Sequence, residues 1–153
     1  MIRLSLVIAA SSVLAGLALG GASVGVVTCP TSFELNGAAV KTEGVPSWPV
    51  VAGDEIKAFS APAVVLLRDG SRVTLVPNSR AKIERKGDDL TFRLLDGGMQ
   101  ILGAPRSTVS FFSQTTAVPV KPGVEVPVST TGNPNKLHLL RTPTPPPSPL
   151  SVR

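Results

Sequence analysis

Between Ala63 and Ile101 the chain alternates apolar and polar residues with a period of two, interrupted at short intervals by turn-forming residues. In Arg72-Val-Thr-Leu-Val76, Val73 and Leu75 share one face, and Arg72 and Thr74 the other. In Arg80-Ala-Lys-Ile-Glu-Arg85, Ala81 and Ile83 fall inward and Arg80, Lys82 and Glu84 outward. Leu90, Phe92 and Leu94 repeat the pattern, and Met99 and Ile101 continue it after the next turn. Side chains of a strand point alternately to its two sides, so each segment predicts a strand with one buried face. Ala63-Val-Val-Leu-Leu67 is a continuous apolar run bounded by Pro62 and Asp69-Gly70, which predicts a central buried strand.

The turn signals fall at Asp69-Gly70, Pro77-Asn78-Ser79, Lys86-Gly87-Asp88 and Asp96-Gly97-Gly98. A spacing of about nine residues is that of an all-β meander, sandwich or roll. Asn36-Gly37 predicts a small type I′ hairpin within Ser32–Val40, and Gly53-Asp54 a turn into a short strand carrying Ile56 and Ala58. Trp48, between Pro46 and Pro49, is expected as a lid over one end of the core rather than a ligand platform. Val109 and Phe111 extend the alternation, and Val124–Val128 reads as an edge strand because Pro127 has no N–H for a ladder. No helical period persists after residue 30. The fold class expected is all-β, a single antiparallel β-sandwich or β-roll domain over residues 31–140.

The first residues carry a different pattern. Arg3 precedes an uncharged stretch from Leu4 to Thr28, apolar at first and ending in small residues. Ala18-Leu-Gly20 and Gly21-Ala22-Ser23 both offer the small flanking side chains that a signal peptidase needs, so residues 1–23 read as a secretory leader. The alternative is an uncleaved anchor reaching about residue 28, long enough for a bilayer. A third reading makes Cys29 a lipid-attachment site, but Thr28 and Pro30 around it depart from that pattern. The expected location is periplasmic or extracellular, or anchored in the inner membrane if the leader is kept. Thr142–Pro149 is polyproline-like, and residues 141–153 are expected as a proline-rich tail, disordered or extended.

Composition narrows the chemistry. Of 153 residues, 15 are Pro and 14 Gly, with abundant Val, which suits strands and turns. The one cysteine, Cys29, permits no intrachain disulfide, and with the one histidine, His138, it leaves no zinc site of the Cys/His type. The formal charge is +5, with no Lys/Arg run interleaved with aromatics, so nucleic acid is not an expected partner. A hydrolytic triad needs a positioned base, and His138 lies near the end of the domain. Asp54-Glu55, Asp88-Asp89 and the pair Asp69 and Asp96 sit beside glycines, where Asp caps backbone amides, and none forms an EF-hand-like calcium loop. No cofactor, metal or catalytic residue is therefore expected. Arg72, Arg80, Lys82, Arg85 and Arg93 form an outward basic row, either a solvated face or a surface for an acidic protein, an anionic glycan or a lipid headgroup.

Three segments in order carry a family likeness: Val50-Val-Ala-Gly-Asp-Glu-Ile56, Val64-Val-Leu-Leu-Arg-Asp-Gly-Ser-Arg-Val-Thr-Leu-Val-Pro-Asn-Ser-Arg-Ala-Lys-Ile83, and Phe92-Arg-Leu-Leu-Asp-Gly-Gly98. Over residues 44–115 the chain resembles the FecR domain, with its Gly-Asp-x-Ile opening, Asp-Gly-Ser turn, Leu-x-Pro-x-Ser turn and later Leu-x-x-Gly. The resemblance implies an all-β periplasmic or extracellular module. The family's founding members relay a ferric-siderophore signal to a sigma-factor system, while many others are envelope or surface proteins. Only Met1-Ile-Arg3 precedes the apolar stretch here, so a cytoplasmic sigma-binding arm is not expected. The function expected is non-catalytic: protein interaction or ligand sensing at the bacterial envelope, with another envelope protein or an anionic surface as partner. The alternative is a structural surface component attached through its proline-rich tail.

Overall fold

A computed structural model of the chain describes residues 21–131. They form thirteen strands and no helix. In chain order these are β1 (Ser23–Thr28), β2 (Phe33–Leu35), β3 (Ala38–Val40), β4 (Trp48–Val51), β5 (Glu55–Ala58), β6 (Ala63–Leu67), β7 (Arg72–Leu75), β8 (Arg80–Lys86), β9 (Asp89–Asp96), β10 (Gly98–Leu102), β11 (Val109–Ser113), β12 (Thr116–Val118) and β13 (Glu125–Ser129). One sheet has six strands in the order β13-β10-β7-β6-β1-β4, the other seven in the order β12-β11-β9-β8-β5-β2-β3. The inward rows of both supply one core, so the domain is an all-β sandwich, as the alternation predicts.

Val73, Leu75, Ala81, Ile83, Phe92, Leu94, Met99 and Ile101 are fully buried, each at a position that the period of two assigns inward. Ile56 and Phe33 join them from the second sheet. Burying one such side chain stabilises the fold by about 1.5–3 kcal/mol, so this shared layer is the main force holding the sheets together. The expected hairpin at Asn36-Gly37 is present, with φ of 52° and 81°, the left-handed pair that a type I′ turn demands. β13 lies at an edge, as Pro127 requires, and β4 with Pro49 forms the opposite edge of the same sheet. Trp48 is half-buried against the core, and its Nε1 is enclosed without an acceptor among the described residues.

Three expectations are corrected. The β-domain does not begin at residue 31. Ser23–Thr28, which the anchor reading assigned to a membrane span, is β1, paired with β4 on one side and β6 on the other. Its Val24 and Val27 are buried, and Cys29, which ends this segment, is 3 % exposed, with Sγ turned toward the Ser32 carbonyl. The end of the uncharged stretch is thus a strand of the domain, which hydropathy alone does not separate from a membrane span. Residues 1–20, most of the expected leader, and the expected tail at 141–153 lie outside the described residues.

β6 is the second correction. Its apolar run is not buried on both faces: Ala63, Val65 and Leu67 are buried while Leu66 is 48 % exposed. The third concerns strand direction. The sandwich is not wholly antiparallel, because β11 runs parallel to β9 from Val109 beside Leu90 to Ser113 beside Leu94. The chain leaves this sheet as β10 and returns as β11, so the two neighbours are joined by a crossover rather than a hairpin.

Two measurements test this account. A chain beginning at Thr31 lacks β1, splits the six-stranded sheet and is expected to show no cooperative thermal transition. A chain beginning at Gly21 is expected to melt as the full chain does. Gly97 has φ +87°, and a Cβ there meets Ser79 Oγ at 2.3 Å, so Gly97→Ala is expected to cost more than about 3 kcal/mol in urea unfolding. Gly87 has φ +64° with nothing within 4 Å of a Cβ, so Gly87→Ala is expected to cost only about 1 kcal/mol.

Candidate functional site

The described residues bury three polar side chains: Asp54, Ser71 and Ser79. All three belong to the turn motifs; Asp54 and Ser79 sit where the chain crosses between sheets, and Ser71 in a hairpin beside such a crossing. Burying a polar group costs free energy unless it is hydrogen-bonded, so the partners decide what each residue does.

Asp54 lies between β4 in one sheet and β5 in the other. Its Oδ2 accepts from Val51 N at 2.8 Å, and its Oδ1 accepts from Asn36 Nδ2 at 2.6 Å. Asn36 Oδ1 in turn accepts from Glu55 N at 2.9 Å. The Asn36-Gly37 hairpin is thereby fastened to the β4–β5 crossing.

Ser79 lies between β7 and β8, again a change of sheet. Its Oγ accepts from Gly98 N at 2.8 Å, in the crossing from β9 to β10. Asn78, with φ 61°, donates its N–H to the Phe59 carbonyl, and Ala58 N donates to the Ser79 carbonyl. Ser71 is the third. Its Oγ donates to Asp69 Oδ2 at 3.0 Å and accepts from Ala104 N at 3.1 Å. Ser107 Oγ also donates to Asp69 Oδ2, at 2.7 Å. The β6–β7 hairpin is thus tied to the loop that carries the chain from β10 to β11.

These serines have no base beside them and their hydroxyls are engaged by the backbone and by Asp69. Asp54, Ser71 and Ser79 fasten crossings. Asp88 and Asp89 are exposed at the β8–β9 turn. Among the described residues no three His, Cys, Asp or Glu side chains gather as metal ligands. His138 lies outside the described residues.

The five-residue basic row does not occupy one face. Arg80, Lys82 and Arg93 lie on the outer face of the seven-stranded sheet, whereas Arg72 lies on the outer face of the other sheet. Arg85 pairs with Leu90 at the same parity as Ile83, where the strand runs past the end of the core, and is exposed. The three that share a face alternate with acids. Arg80 reaches Glu55 at 3.4 Å, and Lys82 sits directly across the ladder from Glu55. Arg93 Nε donates to Glu84 at 2.9 Å, its Nη1 donates to the Gln114 carbonyl, and its guanidinium lies 4.9 Å from the Phe112 ring centroid. Pattern reading placed Arg72, Arg80, Lys82 and Arg93 on outer faces but gave strands of different sheets one face, and it missed that Arg85 stands at the inward parity beyond the core.

The face that sequence reasoning missed is the outer side of the six-stranded sheet. Cross-strand neighbours there run Pro49, Val26, Leu66, Arg72, Leu102, Glu125, one from each strand. The adjacent row is Thr28, Val64, Thr74, Gln100, Pro127. Arg72 and Glu125 are the only charges in the two rows, two strands apart in the first with Leu102 between them. The apolar outward residues of β1 and β6 carried the signal, but Val26 was hidden in the apparent leader and Leu66 in the apparent core.

A scan against protein-family models finds no match, and searches of the curated proteins and of the solved structures find none either.

The two arginine pairs should differ in worth. Exposed Arg80 makes one solvated ion pair, so Arg80→Ala is expected to change unfolding free energy by no more than about 0.5 kcal/mol. Arg93→Ala removes an ion pair, a bond to a carbonyl and a ring contact together, and is expected to cost about 1–2 kcal/mol in the same measurement.

Proposed function

We propose that the chain is an exported, non-catalytic FecR-like module that binds another protein of the bacterial envelope. The observation that carries the binding part is the outer face of the six-stranded sheet. Val26 and Leu66 lie side by side with Val64 and Pro49 next to them, and beyond Arg72 come Leu102 and Pro127, with two charges in eleven positions. Interface centres are depleted in charge relative to ordinary surface, and the other sheet's outer face, laced with Glu–Arg pairs, has the opposite character. A flat β-surface with few charges suits a protein partner better than a polyanion, which needs clustered cations.

Export is supported by the charge-free stretch after Arg3 and the small residues at 18–23. The FecR-like reading is supported by the order of the turn motifs and by the use the fold makes of them. Gly53-Asp54 and Ser79 with Gly97-Gly98 are corners where the chain changes sheet, and Asp69-Gly-Ser71 is a hairpin turn tied to the β10–β11 crossing. The absence of a nucleophile–base pair in the sequence favours binding over turnover.

In cells, a photo-crosslinking amino acid in place of Leu66 is expected to give a discrete adduct. The same probe in place of Lys57, on the other sheet, is expected to give none. Leu102→Glu should abolish the Leu66 adduct without shifting the thermal midpoint. Adducts at Lys57 alone, or adducts indifferent to Leu102→Glu, would refute the binding part. A fused alkaline phosphatase that stays inactive would refute export.

A further inference from the structure

A second surface is independent of the sheet faces. Where the chain passes from β10 to β11, the loop Gly103–Ser107 covers the start of β11, and the segment after β12 returns to meet it at a Gly103–Pro122 bridge. Between them lies a half-open cavity of about 380 Å³. Its walls are apolar at Ala104, Val109, Phe112, Val118 and Val120. Arg106 is the only charged side chain lining it, and no carboxylate does.

The cavity is a built feature. A Cβ at Gly103 would meet Val120 Cγ1 at 2.6 Å, so the close approach of the two walls requires glycine there. The loop forming the other wall is fixed by Ala104 N donating to the buried Ser71 Oγ and by Ser107 bonded to Asp69. Ser107 is thus spent on the fold, and the Asp69 carboxylate behind it already accepts from Ser71 and Ser107. Two lining groups remain uncommitted: the Arg106 guanidinium, which makes no ion pair among the described residues, and the Ser110 hydroxyl, which has no hydrogen-bond partner among them.

We infer that this cavity binds a small organic molecule that joins one carboxylate to a compact apolar body. Arg106 supplies the forked donor that suits a carboxylate, and Ser110 offers a further hydroxyl. Val109, Val118 and Val120 take the apolar part, in a volume that suits a molecule of roughly 12–20 non-hydrogen atoms. A dianion or phosphate would meet one cation only. A neutral hydrocarbon would leave Arg106 without the partner it could have. The inference does not rest on the protein-binding reading, which uses the opposite sheet.

The test is a nuclear magnetic resonance titration of the purified chain with N-acetylphenylalanine, benzoate and hexanoate, each beside its neutral primary amide. At least one carboxylate is expected to shift the Ser110 and Val118 amides with saturation below about 10 mM, and its amide to bind about tenfold more weakly. Arg106→Gln should weaken that carboxylate by about tenfold and leave the amide unchanged. Ser110→Trp, at an exposed position, should block both. Arg72→Gln, on the other sheet, should change neither. The proposal is overturned if no carboxylate binds by about 10 mM, if each amide binds as well as its acid, or if Arg106→Gln has no effect. An unchanged thermal midpoint for each variant separates lost binding from lost fold.

Discussion

The contact between Ser79 and Gly97-Gly98 holds together the part of the fold on which everything else depends. Two crossings meet there, β7 to β8 and β9 to β10, running in opposite directions between the sheets. The Gly98 N–H has no ladder partner at the point where it donates to Ser79 Oγ, and Ser79 sits in space left by the missing Cβ of Gly97. Thr130 closes the same corner, with its N–H donating to the Gly97 carbonyl and its Oγ1 accepting from Gly97 N. A sandwich whose chain changes sheet repeatedly must satisfy backbone groups at each change, where neither sheet can. Asp54 and Ser79 do so at two of these changes, and Ser71 fastens the loop of a third.

The corners at Asp54 and Ser71 follow the same logic with different chemistry. Asp54 uses both oxygens, one for its own turn and one for Asn36, so a distant hairpin is registered against the crossing. Ser71 links the β6–β7 hairpin to Ala104 and, through Asp69, to Ser107. Functional meaning is therefore separated from the most recognisable motif residues. The polar turn residues are occupied in fastening the fold, and the surfaces proposed for a partner lie elsewhere: a sparsely charged sheet face and a cavity beside a crossing loop.

The two outer faces contrast for a simple electrostatic reason. On the seven-stranded sheet, Glu55 and Glu84 stand beside Arg80, Lys82 and Arg93, so field and charge largely cancel at short range. Exposed pairs of this kind add little stability but keep a face soluble. The six-stranded sheet lacks that device along Val26, Leu66 and Leu102, and relies on Pro49 and Pro127 at its two edges to discourage strand addition. Edge pairing is blocked while the flat face stays open.

Period-two alternation and the left-handed turns at Asn36-Gly37, Gly70, Asn78, Gly87 and Gly97 were legible from the residues themselves, because both are local properties of a chain with side chains on alternate sides. The inward assignment of Val73, Leu75, Ala81, Ile83, Phe92 and Leu94, and the edge position of Pro127, followed from the same local rules. What only the tertiary structure decided is which strands share a sheet. That choice put Arg72 on a different face from Arg80, set β11 parallel to β9, and recruited Ser23–Thr28 into the core. It also turned Asp54, Ser71 and Ser79 from turn-formers into links between distant segments. Strand partners are fixed by burial and hydrogen bonding across long separations, and an apolar residue carries the same pattern whether a membrane, a core or an open face receives it.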